Sequence, residues 1–273
     1  GGESPASRSR QPVCGVCEVG IRGPMIDKGF PSIIDLGTRL RLGLVSSFPP
    51  TRCGIARFSA SLVASLEVVA PNIETEVVRL VCSPQPEMDA RASLTVQPDL
   101  PIGIRAAARK LNDMDCVVIQ HEYGIFGNND GESVLDLVER VHPPKVAVLH
   151  TVLRDPSHRQ RAIIDGLAES CQLVVLSESA RMALQDHYSI DADTVEVIPH
   201  GTSWTPSPPN QFPRSRLITW GLLGPGKGLE RAIAALLALR DLEPRPHLQI
   251  VGRVHPNVMR VTGTAYQDSL LDL

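Results

Sequence analysis

The amino-acid sequence predicts an α/β protein, with one complete parallel-sheet domain followed by the start of a second of the same kind. Three observations carry this. From Arg39 onward, short β-prone apolar runs alternate with stretches of helical spacing, the alternation that builds a parallel sheet. Runs such as Asp115 to Gln120 (DCVVIQ) are apolar without a break, as strands covered on both faces are. A stretch with five prolines, from Pro199 to Pro213, then divides the pattern in two, and that composition reads as a linker.

The elements follow in order. Leu40 to Ser47 reads as the first strand, Gly54 to Ala70 as a helix, Glu74 to Val81 as a strand, and Ile102 to Leu111 as a helix. Next come strand Asp115 to Gln120, helix Glu132 to Val141, strand Lys145 to His150 (KVAVLH), and helix Arg159 to Glu169, whose Ile163, Ile164 and Leu167 share a face. Leu173 to Leu176 is a strand, Glu178 to His187 a helix opened by the cap candidate Ser177, and Thr194 to Ile198 the last strand of this domain. The predicted domain is thus 39–199, and the linker 200–215. In the second domain, 216–273, strand Leu217 to Trp220, helix Lys227 to Arg240 and strand His247 to Val251 are legible. Two strands and one helix cannot cover both faces of a parallel sheet, so this half is expected to be incomplete and unstable alone, through truncation or completion by another chain.

Residues 1–38 show no sustained periodicity and are rich in Gly, Ser, Arg and Pro, the composition of a loose tail. Cys14 and Cys17 in that tail form one CxxC, the spacing of half a zinc site or a redox pair, but no second CxxC or close His pair accompanies it. The six cysteines are scattered, unlike a secreted disulfide framework. No apolar run reaches the roughly 18 residues of a bilayer-spanning helix, and the N-terminus lacks a signal-peptide pattern. The expectation is a cytoplasmic protein with reduced thiols and no transmembrane segment, with peripheral membrane contact left open. Lys and Arg total 27 against 30 Asp and Glu, a formal charge of -3, which lacks the positive field that nucleic-acid binding draws on.

In an open α/β sheet, ligands gather at the carboxyl ends of strands. Five segments there carry candidate chemistry. Phe48 to Gly54 (FPPTRCG) leads from the first strand into a helix whose free amides could meet an anion, with Gly54 allowing close approach and Arg52 adding charge. His121, Glu122, Tyr123 and Gly124 emerge after DCVVIQ, where a hydrogen-bonded turn would explain them equally well. His150 and Thr151 end KVAVLH, where a histidine can serve a sugar hydroxyl or a proton. His200 and Gly201 open the linker, where hinge duty alone could account for them. The strongest signal is Gly221-Leu222-Leu223-Gly224-Pro225-Gly226-Lys227-Gly228-Leu229-Glu230, glycines and a lysine between strand and helix, which favour a bound phosphate. It nearly matches a P-loop, but Gly228 replaces the Ser or Thr that would hold magnesium.

Together these loops resemble the family 4 glycosyltransferases, retaining enzymes of the GT-B type with two Rossmann-like domains. FPPTRCGIARFS is similar to the family's first loop, KVAVLHTVL to its strand ending in His, VEVIPHG to its hinge, ITWGLLGPGKGLERAI to its donor-phosphate turn, and LQIVGRVHP to the strand after it. The resemblance implies transfer of a sugar from a nucleotide diphosphate sugar to an acceptor hydroxyl, with retention and without a metal or other cofactor. It implies that Gly224, Gly226 and Lys227 meet the donor diphosphate, that Gly54 gives the backbone approach to it, and that His150 lies near the reacting carbon. Arg52, His121, Glu122, His200 and Gly201 are then cleft and acceptor candidates. Two departures stand out: Leu222 replaces an arginine common in the family, and the later motif with two glutamates eight residues apart has no counterpart before Leu273. The activity of this chain without that segment is therefore open, and the competing class is a non-catalytic binding or scaffolding module. A dinucleotide-dependent oxidoreductase fits the alternation but lacks GxGxxG after the first strand.

Overall fold

A computed structural model describes residues 39–83, 90–127, 129–201 and 215–273. The expected tail 1–38, with Cys14 and Cys17, and most of the expected linker lie outside them. The chain divides into two compact units, Gly1–Gly201 and Thr202–Leu273, and each is described by itself.

The first unit is a doubly wound parallel sheet. Its strands are β1 (Leu40–Ser46), β2 (Ile73–Leu80), β3 (Ala92–Val96), β4 (Cys116–His121), β5 (Lys145–Leu149), β6 (Gln172–Val175) and β7 (Val195–Val197). They lie in the order β3-β2-β1-β4-β5-β6-β7, every neighbouring pair parallel. The helices are α1 (Gly54–Val69), α2 (Pro101–Leu111), α3 (Ser133–Arg140), α4 (His158–Ser170) and α5 (Glu178–Tyr188). Successive strand residues point to opposite faces, and the buried side chains sort accordingly. Val45, Val117, Ile119, Ala147 and Leu149 pack with residues of α2, α3 and α4 such as Leu111, Leu137 and Ile163. On the other face Leu44 and Val77 pack with Val63 of α1 and with Phe48. Gly43 lets α2 close on the sheet, because a Cβ there would stand 2.7 Å from Leu111 Cδ2. At roughly 1.5–3 kcal/mol for each large apolar side chain fully buried, this two-faced core is what holds the sheet.

Most predicted elements are present with ends shifted by a residue or two. Strand β3 has no counterpart in the sequence reading. It is a five-residue edge strand whose register against β2 shifts between Val77 and Val78, too short and too polar to announce itself. Strand β4 runs one residue further than expected, to His121.

The second unit holds β8 (Arg216–Trp220), α6 (Leu229–Ala238), β9 (His247–Val251), α7 (Pro256–Thr262) and α8 (Ala265–Leu271). β8 and β9 pair in parallel, and a single bridge joins Leu223 to Val254. Helix α6 starts at Leu229, two residues later than expected, because Gly228 sits at φ 72°, outside the right-handed region a helix needs. Helices α7 and α8 were not read from the sequence, since each is only seven residues and Gly263, at φ 60°, breaks the period between them. Among the described residues of this unit only Leu223, Leu229 and Val254 are buried hydrophobics, while Ile218 is 58% and Trp220 77% exposed.

Candidate functional site

In the first unit the chain winds outward through β1, β2 and β3, then returns to β4 beside β1 and continues the other way. That reversal opens a crevice at the carboxyl ends of β1 and β4, where α/β proteins bind ligands. The loop after β1 is held from beneath by Arg79, the last but one residue of β2 and wholly buried. Its Nε donates to the Phe48 carbonyl at 3.1 Å and a terminal nitrogen donates to Thr51 Oγ1 at 3.0 Å, while the Arg91 guanidinium lies over the Phe48 ring at 5.2 Å. The sequence reading missed Arg79. Its signal was a charge inside the apolar run EVVRL.

The start of α1 is less open to an anion than its loop suggested. Cys53 Sγ accepts from the Ala56 amide at 3.3 Å and lies 3.1 Å from Ser47 Oγ, so the chain itself claims one of the amides. A Cβ added at Gly54 would meet nothing within 4 Å, so no contact within the chain requires a glycine there. Arg52 is exposed on the loop.

At the neighbouring strand ends, His150 is half-buried immediately after β5. Its amide donates to the His121 carbonyl at 3.0 Å, and its Nε2 lies 2.7 Å from Gln120 Oε1. Phe58, one turn into α1, stands edge-on to the His150 ring at 5.0 Å and to the His200 ring at 5.3 Å, and the two imidazoles are 6.2 Å apart. The structure therefore brings His150 and His200 together with an aromatic residue that the sequence reading did not single out, although it lies one helical turn beyond Gly54. Burial, and then the nearby His200, push His150 down to about 4, so its ring is neutral near pH 7. His200 and Gly201 are exposed.

Two candidates of this rim turn out otherwise. His121 ends β4 rather than following it, and its ring is wholly buried, edge-on to Tyr123 at 5.1 Å and stacked on Phe126 at 6.2 Å. Neither ring nitrogen has a hydrogen-bond partner among the described residues, and burial, then His150, push it down to about 4. It is a core histidine, not a cleft group. Glu122 is occupied locally. Its Oε1 accepts from the Tyr123 amide at 3.1 Å and its Oε2 from Thr151 Oγ1 at 2.5 Å, which ties the ends of β4 and β5 together.

The glycine-rich turn belongs to the second unit. Gly221, Gly226 and Gly228 take φ of 137°, 82° and 72°, conformations that other residues adopt at a cost, and no atom crowds a Cβ at any of the three. They are glycines for backbone shape, and the Gly221 and Leu223 amides donate to the Val251 and Arg253 carbonyls and the Lys227 amide to that of Gly224. Helix α6 begins on Gly228 with no side-chain cap, and the exposed Lys227 precedes it. Glu230 folds its carboxylate onto its own backbone N–H and is held below the ordinary range, first by that bond and then by Tyr266. A cavity of about 250 Å³ lies against this turn, lined by Thr219, Trp220, Gly221, Leu222, Leu223, Lys227, Leu229 and Ile250. Among the described residues no cluster of His, Cys, Asp or Glu could hold a metal ion, and no helix is long and apolar enough to cross a membrane.

This architecture is the α/β fold of GT-B-type glycosyltransferases. Among solved structures, the chain is similar to a glycosyltransferase from Rickettsia africae ESF-5, with TM-score 0.54 and 16% identity over 85% of this chain and 66% of that one. It is also similar to TarM, with TM-score 0.64 and 9% identity over 88% of this chain and 74% of that one, and to an alpha-glucosyltransferase (AGT) in complex with UDP, with TM-score 0.52 and 12% identity over 83% and 62%. The chain thus spans about two thirds of the length of these proteins. No family model and no curated protein matches it.

Proposed function

We propose that this chain acts as a family 4 glycosyltransferase, which moves a sugar from a nucleoside diphosphate donor to an acceptor hydroxyl with retention at the anomeric carbon. The observation that carries the reading is the turn 221–228. Gly221, Gly226 and Gly228 take positive φ, the turn leads into a helix without a side-chain cap, and Lys227 stands beside a cavity of about 250 Å³. Amides, helix end and ammonium all favour an anion there. The solved structure of an alpha-glucosyltransferase with UDP bound supports a nucleoside diphosphate as that anion.

In the reaction, the bond from the anomeric carbon to the diphosphate oxygen breaks and its electron pair leaves on the phosphate. The acceptor oxygen bonds to the same carbon on the face the phosphate leaves, and its proton passes to the departing phosphate oxygen. Lys227 and the amides around Gly224 and Gly226 meet the growing phosphate charge, the electrostatic contribution that is usually largest, with no metal called on. His150, neutral near pH 7, serves as a hydrogen-bonding group for a sugar hydroxyl rather than as a charge. We place this chemistry in the cytoplasm.

Titration calorimetry with UDP and GDP tests the reading, followed by incubation with radiolabelled nucleotide sugars. Binding of at least one nucleotide, weakened by Lys227→Ala, is expected. Absence of binding to both, or binding indifferent to Lys227, overturns it.

A further inference from the structure

Gln120 is the residue before His121 in β4, and its side chain is wholly buried. Its Oε1 lies 2.7 Å from Nε2 of His150, across the β4–β5 pair. A carbonyl oxygen can only accept, so the imidazole nitrogen facing it carries the proton, and in a neutral ring the other nitrogen then keeps a bare lone pair. Nδ1 of His150 makes no hydrogen bond among the described residues. The amide nitrogen of Gln120 is buried without a partner there as well.

We propose that Gln120 is a positioning residue that holds the His150 imidazole as its Nε2–H tautomer, so that the ring meets a ligand through the Nδ1 lone pair, as acceptor of a hydroxyl proton. Burial keeps His150 neutral near pH 7, so the tautomer decides which nitrogen offers a lone pair. Phe58, edge-on to the ring at 5.0 Å, fixes its tilt. A phosphate or carboxylate oxygen has no proton to give and is refused at such a lone pair, whereas a sugar hydroxyl is welcomed. His150 thereby favours a hydroxyl over a phosphate oxygen. The identity of that ligand rests on the glycosyl-transfer reading above. The tautomer does not.

The test is nitrogen NMR of the full chain labelled with 15N-histidine near pH 7.5, His150 being assigned by the signals lost in His150→Gln. A protonated, pyrrole-like Nε2 and a pyridine-like Nδ1 are expected. The reverse pattern, or an even mixture, overturns the proposal. Gln120→Met keeps the length and apolar bulk but removes the acceptor, and should relax the tautomer ratio toward Nδ1–H by roughly three- to tenfold, the factor one hydrogen bond commands. An unchanged ratio in a folded variant would show that something other than Gln120 sets the ring. If that variant does not fold, Gln120→Glu, which offers only acceptors, is read instead: it should keep the Nε2–H pattern, and a shift toward Nδ1–H would overturn the proposal. None of these signals needs a nucleotide, so a chain that bound neither UDP nor GDP would sink the transfer reading while leaving this result to stand on its own.

Discussion

Three helices of the first unit carry a side-chain cap, whereas the helix that follows the glycine-rich turn of the second unit carries none. α1, α4 and α5 start on Cys53, Ser157 and Ser177, whose side chains accept from the amides of Ala56, Gln160 and Ala180. α6 starts on Gly228, which has no side chain to offer. The free amides at a helix start must find partners somewhere, and where the chain supplies its own acceptor, little is left for a ligand. Helices α2, α3 and α8 also start without a side-chain cap, so what sets α6 apart is Lys227 and a cavity beside its start, with Glu230 already holding one of its first amides. The cores differ in parallel. The seven-stranded sheet is buried on both faces, whereas the β8–β9 pair leaves Ile218 and Trp220 largely exposed.

The largest effect that could break this comparison is in packing. Ile163 on α4 is wholly buried, and Ile163→Ala should destabilise the first unit by about 2–5 kcal/mol, the range for truncating a core aliphatic. Ile218→Ala in β8 removes a side chain that is 58% exposed and should change stability by no more than about 0.5 kcal/mol. Chemical denaturation of both variants decides it. Equal losses would mean that β8 has a covered face after all.

Next in size is an effect of pH on the first unit. His121 is held at about 4 by burial against an ordinary value of 6.5, so between those two values the unfolded chain binds the proton that the folded one refuses. Stability from this group is complete above pH 6.5 and is lost as the pH falls toward 4, by about 3 kcal/mol at most. His150 acts in the same direction. Thermal melts from pH 7.5 to 4 should show a falling Tm, and His121→Phe should flatten a good part of that fall. A slope unchanged in that variant would mean that His121 is not buried uncharged.

A smaller effect tests the second unit. Lys227→Ala should weaken nucleoside diphosphate binding by about 1.5–3 kcal/mol, the worth of a charge-assisted contact, which calorimetry reads as roughly ten- to a hundredfold. Cys53→Ala, at the capped start of α1, should leave that binding within about twofold. A larger loss at Cys53 than at Lys227 would reverse the assignment of scaffold and site.

Much of this was legible in the sequence because periodicity reports burial. The run DCVVIQ became β4 and KVAVLH became β5, and the face Ile163, Ile164, Leu167 became the packed side of α4. Glycine spacing likewise announced the turn 221–228, since positive φ is a property of the residue itself. What stayed hidden was tertiary. Nothing in the order of residues says that His121 turns inward while His150 turns out, since that depends on where β4 ends and on Phe126 stacking beneath it. Arg79 read as one charge in a strand, and its hold on Phe48 and Thr51 exists only once β2 lies beside β1. β3 was missed because an edge strand needs only one good face.

The smallest prediction bears most directly on the contrast between helix starts. Ser157 and Gln160 form a reciprocal cap on α4. The Gln160 amide donates to Ser157 Oγ at 3.2 Å, and the Ser157 amide donates to Gln160 Oε1 at 2.9 Å. Ser157→Ala removes one half and should cost about 1 kcal/mol, whereas Ser157→Gly, which lets water reach the amides, should cost only a few tenths. At Gly228 the reverse substitution should not create a cap, because φ of 72° is a left-handed conformation and a serine there carries a penalty of roughly 1–2 kcal/mol. Gly228→Ser should therefore lower the stability of the second unit rather than raise it, as hydrogen exchange of the α6 amides would report. Stabilisation by that serine would mean that α6 was missing an ordinary cap, and that its start is not kept for an anion.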